Sequence, residues 1–176
     1  MITYKQASTM EELEQILALQ QLNLIKNISE EERKNEGFLT VEHDMDILKT
    51  MNDVCGHIIA VEDDQVVGFA LCMHRQFANS IDLLRPMFEE IDKVIENKNG
   101  YMAMGQICVA KSHRGRGVFR NLYLTMKEKL PEGIDTIVTE VEGKNTRSLA
   151  AHAAVGFKTI NVYASGELEW HLIILQ

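Results

Sequence analysis

The sequence predicts a mixed α/β sheet of seven strands with helices on its faces, and three observations predict it. Met102–Val109 is apolar or small apart from Gln106, as in a strand buried on both faces. After a turn holding Gly115 and Gly117, the residues Val118, Leu122, Met126 and Leu130 recur at helical spacing. Pro131-Glu132-Gly133 then stops that helix, and Ile134–Val141 supplies a second β-rich run, so the pair closes a strand–helix–strand unit with parallel strands. Finally, two hairpins flank this unit. Ile58–Val61 and Val66–Met73 meet around Glu62-Asp63-Asp64-Gln65, and Phe157–Tyr163 and Leu168–Leu175 meet around Ser165-Gly166.

The remaining elements follow in order. Met1–Gln6 is the first strand, and Ser8 with Glu11 has capping-box spacing for a helix carrying Leu13, Ile16, Leu17 and Leu24 on one face. Ser29 with Glu32 repeats the box for a short helix ended by Gly37, and Asp44 caps a third with Ile47, Leu48 and Met51. Ile81–Ile95 is amphipathic, with Leu84, Phe88, Ile91 and Ile95 on one stripe and Pro86 in the first turn of its main segment. Its place between the third and fourth strands suits a substrate lid or a homodimer contact, although burial of its own stripe against the sheet is the simpler explanation. Asn145–Val155 is the last helix, closed by Gly156.

Composition narrows the function classes. At 176 residues and 45% hydrophobic content, residues 1–176 suit one compact domain. The first residues lack the apolar core of a secretion signal and no apolar run approaches the ~20 residues of a membrane span, so a cytoplasmic protein with no membrane partner is expected. Cys55, Cys72 and Cys108 are odd in number and widely spaced, which suits a reducing compartment rather than a disulfide framework. No Cys/His spacing suggests a metal; His43-Asp44-Met45-Asp46 is explained by helix-start chemistry. A formal net charge of -8 speaks against nucleic acid as a partner.

Against that acidic background, Lys111–Lys129 holds six Lys or Arg and one acid, Glu128. A glycine turn entering a helix directs backbone N–H groups at an anion, so Arg114, Gly115, Arg116, Gly117, Val118, Phe119 and Arg120 form a candidate phosphate cradle. A nucleoside-triphosphate loop is excluded because no Gly-Lys-Ser/Thr occurs. Gly115, Gly117 and Glu140 imitate part of a dinucleotide fingerprint, but its third glycine falls on Arg120 and only 36 residues follow Glu140.

These residues resemble the GNAT superfamily of acetyl-coenzyme A-dependent N-acyltransferases. The pyrophosphate signature of that family is Arg or Gln, two residues, Gly, one residue, then Gly or Ala; Arg114-Gly115-Arg116-Gly117-Val118-Phe119 fits except at Phe119. A second signature is similar to Asn145, His152, Gly156 and Phe157, with His152 in place of a Tyr. The resemblance covers essentially the whole chain. It implies a mostly antiparallel sheet of about seven strands whose central parallel pair is splayed at Gly105, and acetyl-CoA as cosubstrate with no metal. It also implies that the backbone of Ile107, Cys108 and Val109 contacts pantetheine or acetyl, with Asn145 beside the cofactor. Gly105 has an alternative reading as a site of close packing.

Acyl transfer to an amine needs a base, stabilisation of the carbonyl oxygen and a fate for the thiolate. Glu140 is the candidate base, twelve residues before His152, as in the ribosomal-protein alanine acetyltransferases of this family; a salt bridge is its structural alternative. His152 is the candidate acid, or else a hydrogen-bonded helix residue. A covalent route through Cys108 is disfavoured because strand cysteines are mostly buried and inert. The expected activity is direct acetyl transfer from acetyl-CoA to a primary amine, on a small molecule or a peptide. The rival is a non-catalytic CoA-binding regulatory protein of the same fold.

Overall fold

A computed structural model describes residues 1–176, with the side chains of Lys34, Asn35 and Leu83 outside the described set. Seven strands form one mixed sheet in the order β1-β2-β3-β4-β5-β7-β6. They are β1 (Thr3–Gln6), β2 (Ile58–Glu62), β3 (Gln65–Met73), β4 (Tyr101–Val109), β5 (Thr136–Glu142), β6 (Lys158–Ser165) and β7 (Leu168–Leu175). Six α-helices accompany them: α1 (Met10–Gln21), α2 (Glu30–Asn35), α3 (Met45–Val54), α4 (Arg85–Val94), α5 (Val118–Glu128) and α6 (Thr146–Val155). β4 and β5 are the parallel pair, while β1–β2, β2–β3, β5–β7 and β6–β7 are antiparallel. The chain falls into two compact units, one of Met1–Cys72 with Gly105–Lys129 and one of Met73–Met104 with Leu130–Gln176.

In the first unit, α1 starts one residue later than the sequence spacing suggests. Thr9, not Ser8, caps it: the Thr9 hydroxyl accepts from the Glu12 N–H at 3.2 Å and Glu12 Oε2 takes the Thr9 N–H at 3.1 Å. Two overlapping boxes compete here, and Glu12 wins because its carboxylate also takes the Ser8 N–H at 2.7 Å and pairs with Lys5. The buried face is Leu13, Ile16, Leu19 and Gln20; Leu24 lies beyond the helix end yet is buried. The other two caps form as the sequence predicts, Ser29 with Glu32 and Asp44 with the Ile47 N–H. Leu13, Ile16, Leu48, Ile59, Phe69 and Leu71 gather into one core with Cys108 of β4. The β2–β3 turn places Asp63 and Asp64 at φ 50° and 61°, a mirror-type hairpin turn that Asp tolerates better than most residues.

In the second unit, the amphipathic run after β3 breaks into a 3₁₀ turn, Asp82–Leu84, followed by α4, because Pro86 fits only a first helical turn. Met87, Phe88 and Ile91 are buried on its inner face. The β4–β5 ladder runs from Tyr101↔Thr136 to Ala103↔Val138 and ends there, six residues before the end of β4. β5 pairs with β7 from Ile137↔Leu175 to Glu142↔Trp170, and β6 joins on the far side of β7.

Candidate active site

The first unit carries the glycine turn. Gly115 and Gly117 have φ 73° and 80°, left-handed values that cost a residue with a Cβ about 1–2 kcal/mol. Gly117 is the N-cap of α5, and among the described residues no side chain caps that helix. A Cβ at Gly115 would meet nothing within 4 Å, so this turn is open on its outer side. These features fit an anion such as a pyrophosphate at the helix start, as the sequence predicts. The Phe119 ring is turned along the helix, edge-on to Tyr123 with centroids 5.3 Å apart.

The arginines divide. Arg116 and Arg120 are exposed, and Arg116 Nη2 stands 3.3 Å from Glu62 Oε1. Together His113 and Arg116 hold the Glu62 carboxyl below its ordinary range. Arg114 instead folds back over the end of β4. Its Nε donates to the Val109 carbonyl at 3.1 Å, its Nη2 to Asn23 Oδ1 at 2.8 Å, and it pairs with Glu36. Lys111 likewise pairs with Glu32 of α2. The strand before the turn is pinned by its one polar residue, as a buried amide requires. Gln106 Oε1 accepts from Gln20 Nε2 at 2.9 Å, and its Nε2 donates to the Val41 carbonyl at 2.8 Å. Beside it, burial pushes the Cys108 thiol up to about 12, so this sulfur stays protonated at neutral pH.

The second unit carries Glu140, Asn145 and His152. Cross-strand partners share a sheet face, and the register Glu140↔Leu172, Asn161↔Leu172, Glu142↔Trp170 and Tyr163↔Trp170 puts all six residues on one face. On that face the Tyr163 hydroxyl donates a hydrogen bond to Glu140 Oε2. Asn161 Nδ2 donates to Glu90 Oε2 at 3.0 Å, which brings α4 over the same face. Burial pushes the Glu140 carboxyl up to about 7, although the Tyr163 bond pulls it the other way. Burial and the charge of Glu140 push the Tyr163 phenol well above its ordinary value, so it remains a donor throughout the working pH range.

His152 lies on α6 at the opposite face. It lines a cleft with Phe157, Thr159, His171 and Ile173, and β7 residues 171 and 173 alternate with Leu172. Its Nδ1 is 2.7 Å from the Ser148 carbonyl oxygen, which can only accept, so the ring carries its proton on Nδ1. Nε2 is then an acceptor. Burial pushes the ring down to about 4, and its edge packs on Phe157 at 5.1 Å. Asn145 caps α6, accepting from the Ser148 N–H at 3.1 Å.

The Acetyltransferase (GNAT) family matches residues 15–157 of the chain. The protein belongs to the GNAT family. Solved structures agree on the fold at low identity. The ribosomal-protein-S18-alanine N-acetyltransferase from Escherichia coli superposes with TM-score 0.61 at 16% identity, over 99% of this chain and 93% of that one. The acetyltransferase yncA from Salmonella typhimurium with its cofactor acetyl-CoA gives 0.65 at 15% identity, over 99% and 93%. Arabidopsis thaliana Naa50 in complex with a bisubstrate analogue, CoA-Ac-MVNAL, gives 0.61 at 16%, over 99% and 98%. No curated protein sequence matches the chain.

For a GNAT protein, the sequence reading missed one residue of consequence. Tyr163 is the hydrogen-bond partner of Glu140, and nothing in its local sequence marks it. Its signal is the register of the last hairpin, because the single-residue irregularity between Thr159 and Asn161 shifts which β6 residues face Glu140. Counting from the strand start without that shift places Tyr163 on the wrong face.

Proposed function

We propose that the protein is an acetyl-CoA-dependent N-acetyltransferase that transfers acetyl directly to a primary amine, on a small molecule or a peptide, with Glu140 as general base. The observation that carries this reading is a partly buried carboxyl at the edge of the splayed β4–β5 pair, held by the Tyr163 hydroxyl and pushed by burial up to about 7, which is matched to proton acceptance at neutral pH. When bound, acetyl-CoA supplies an acetyl thioester: the amine nitrogen forms the new C–N bond, the C–S bond breaks, and the sulfur leaves as thiolate.

The chain's own groups do the rest. The left-handed glycines and the uncapped start of α5 hold the diphosphate, with Arg116 and Arg120 as counter-charges. Arg114 orders the end of β4 through the Val109 carbonyl, which keeps the backbone of Ile107, Cys108 and Val109 in place for the pantetheine arm. Glu140 takes the ammonium or amine proton. His152 lies on the sheet face opposite Glu140 and keeps its proton on Nδ1 against the Ser148 carbonyl, so it is assigned no proton-transfer step. A protonated Cys108 thiol disfavours a covalent acetyl-cysteine.

The test is thiol release from acetyl-CoA across a panel of primary amines, with Glu140→Gln beside the native protein. Amine-dependent release that falls by at least a hundredfold in the variant, with acetyl-CoA affinity retained, is the expected result. Acetyl-CoA binding with no amine-dependent release across the panel would make the protein a CoA-binding regulator.

A further inference from the structure

We infer that Tyr163 is a positioning residue for the transfer reaction: its hydroxyl occupies one oxygen of Glu140 and leaves Oε1 as the oxygen that takes the proton from the amine. This inference rests on the assignment of Glu140 as base. A carboxylate has two oxygens of equal basicity in water, and a freely rotating one presents either. Here the Tyr163 O–H is spent on Oε2, so a second proton arriving at Oε2 would compete with a donor already seated there. The conjugate acid therefore carries its proton on Oε1, and the phenol keeps the carboxylate plane fixed while protons come and go.

The surroundings make that bond specific. Tyr163 stands on β6 opposite Trp170 of β7, and Trp170 is opposite Glu142 of β5, so the phenol reaches diagonally across β7 to Glu140. The charged and titratable groups that the register and contacts place on this face are Glu142 on β5, the exposed Lys158 at the far end of β6, Tyr163 on β6 and Glu90 on α4, the last engaged by Lys93 and Asn161. β7 contributes Leu172 and Trp170, which carry no charge. The phenol is thus the charge-stabilising donor that the structure shows on the Glu140 carboxylate, set against the negative charges of Glu90 and Glu142. Its own pKa is raised by burial and then by Glu140 and Glu90, so it donates at every pH at which the proposed reaction runs.

Removing the hydroxyl should shift the acid limb of the rate profile, not merely lower it. A hydrogen bond to a charged group is worth about 1.5–3 kcal/mol, so Tyr163→Phe should raise the Glu140 pKa by about one to two pH units. The experiment is a pH profile of kcat at saturating acetyl-CoA and amine for native protein, Tyr163→Phe and Glu140→Gln, with the folded state of each checked by circular dichroism. Carboxyl ¹³C NMR titration of Glu140 in native protein and Tyr163→Phe reads the same shift without catalysis. The expected result is about a five- to fiftyfold loss at pH 7 in Tyr163→Phe that recovers toward pH 9, with an upward shift in the NMR titration. A rate loss equal at all pH values, with the Glu140 titration unmoved, overturns the inference. If Glu140→Gln keeps full turnover, the base assignment fails instead, and the NMR titration still decides whether Tyr163 controls the carboxyl.

Discussion

Replacing Glu140 by Gln should stabilise the fold at alkaline pH while it removes the proposed base, and the size of the effect follows from the carboxyl's environment. Glu140 titrates at about 7 when folded against an ordinary 4.5. That difference corresponds to about 3 kcal/mol of preference for the neutral form. Because the folded pKa is raised, the stabilising contribution is complete below pH 4.5, is lost as pH rises through about 7, and stays lost above it. Gln keeps the shape and an oxygen for the Tyr163 hydroxyl but never ionises. Urea unfolding of both proteins at pH 5 and pH 8.5 isolates the effect as a difference of differences, so other titrating groups cancel. The Gln variant should gain roughly 2–3 kcal/mol relative to native between the two pH values. An equal difference at both pH values would refute the reasoning, because it would mean that the carboxylate is as well solvated folded as unfolded.

The other predictions concern the cradle and the buried histidines. Arg116→Glu should weaken acetyl-CoA binding at least tenfold by calorimetry with little change in stability, since this side chain is half exposed and pairs with Glu62 at the surface. Arg114→Ala should cost about 2 kcal/mol in urea unfolding, because it removes bonds to the Val109 carbonyl and Asn23 and a partly buried pair with Glu36. Cys108→Ala should retain turnover within a fewfold, which a covalent intermediate would forbid. His43, His57 and His152 are each pushed by burial down to about 4 from 6.5, so the stability they confer is present above pH 6.5 and lost as pH falls toward 4. The three rings alone would lower the unfolding free energy by roughly 3–4 kcal/mol per pH unit between pH 6 and 4.5, and Glu140, whose raised pKa acts in the opposite sense, offsets about 1 of that, so a net fall of roughly 2–3 kcal/mol per pH unit is expected; a slope near zero or of opposite sign would mean that these rings charge freely in the fold.

Much of this architecture is legible in the chain because its signals are local. The capping boxes, the glycine turn and the alternation of the hairpins each fix a few neighbouring residues, and they place the seven strands to within two residues; the helices are less exact, since α1 ends at Gln21 short of Leu24 and the run from Ile81 yields α4 only from Arg85. The Thr9 cap differs from the Ser8 reading only because Lys5 and Ser8 both reach Glu12. Gln106 is the instructive intermediate case. A lone amide in a buried strand announces that a partner exists, yet the partners, Gln20 and Val41, lie 86 and 65 residues away in sequence. Arg114 shows the limit of motif reading: its position matches the signature, but Asn23 and Glu36 decide where the guanidinium goes. The Glu140–Tyr163 bond depends on strand register across three strands, and a one-residue irregularity in β6 resets it.

The histidine at position 152 gains a physical account once its tautomer is fixed. A general acid at neutral pH needs a proton that it can release toward the ligand. His152 holds its proton on Nδ1 against the Ser148 carbonyl and, with a pKa near 4, carries no second one. A tyrosine at the same helical position would have a hydroxyl proton to offer. The chemistry tolerates the exchange because the leaving group is a thiol, whose pKa near the ~8.5 of cysteine lets it depart as thiolate with protonation from solvent afterwards. Deprotonation of the amine has no such escape: an ammonium near pKa 10.4 is some six orders of magnitude less acidic than an ordinary carboxylic acid, and raising the carboxyl to about 7 closes nearly half of that gap. Under the proposed reaction the proton-transfer demand therefore falls on Glu140 and the phenol that holds it, while His152 packs against Phe157. On this account His152→Tyr keeps the profile's acid limb where native protein has it, because the group that sets that limb lies on the other face of the sheet.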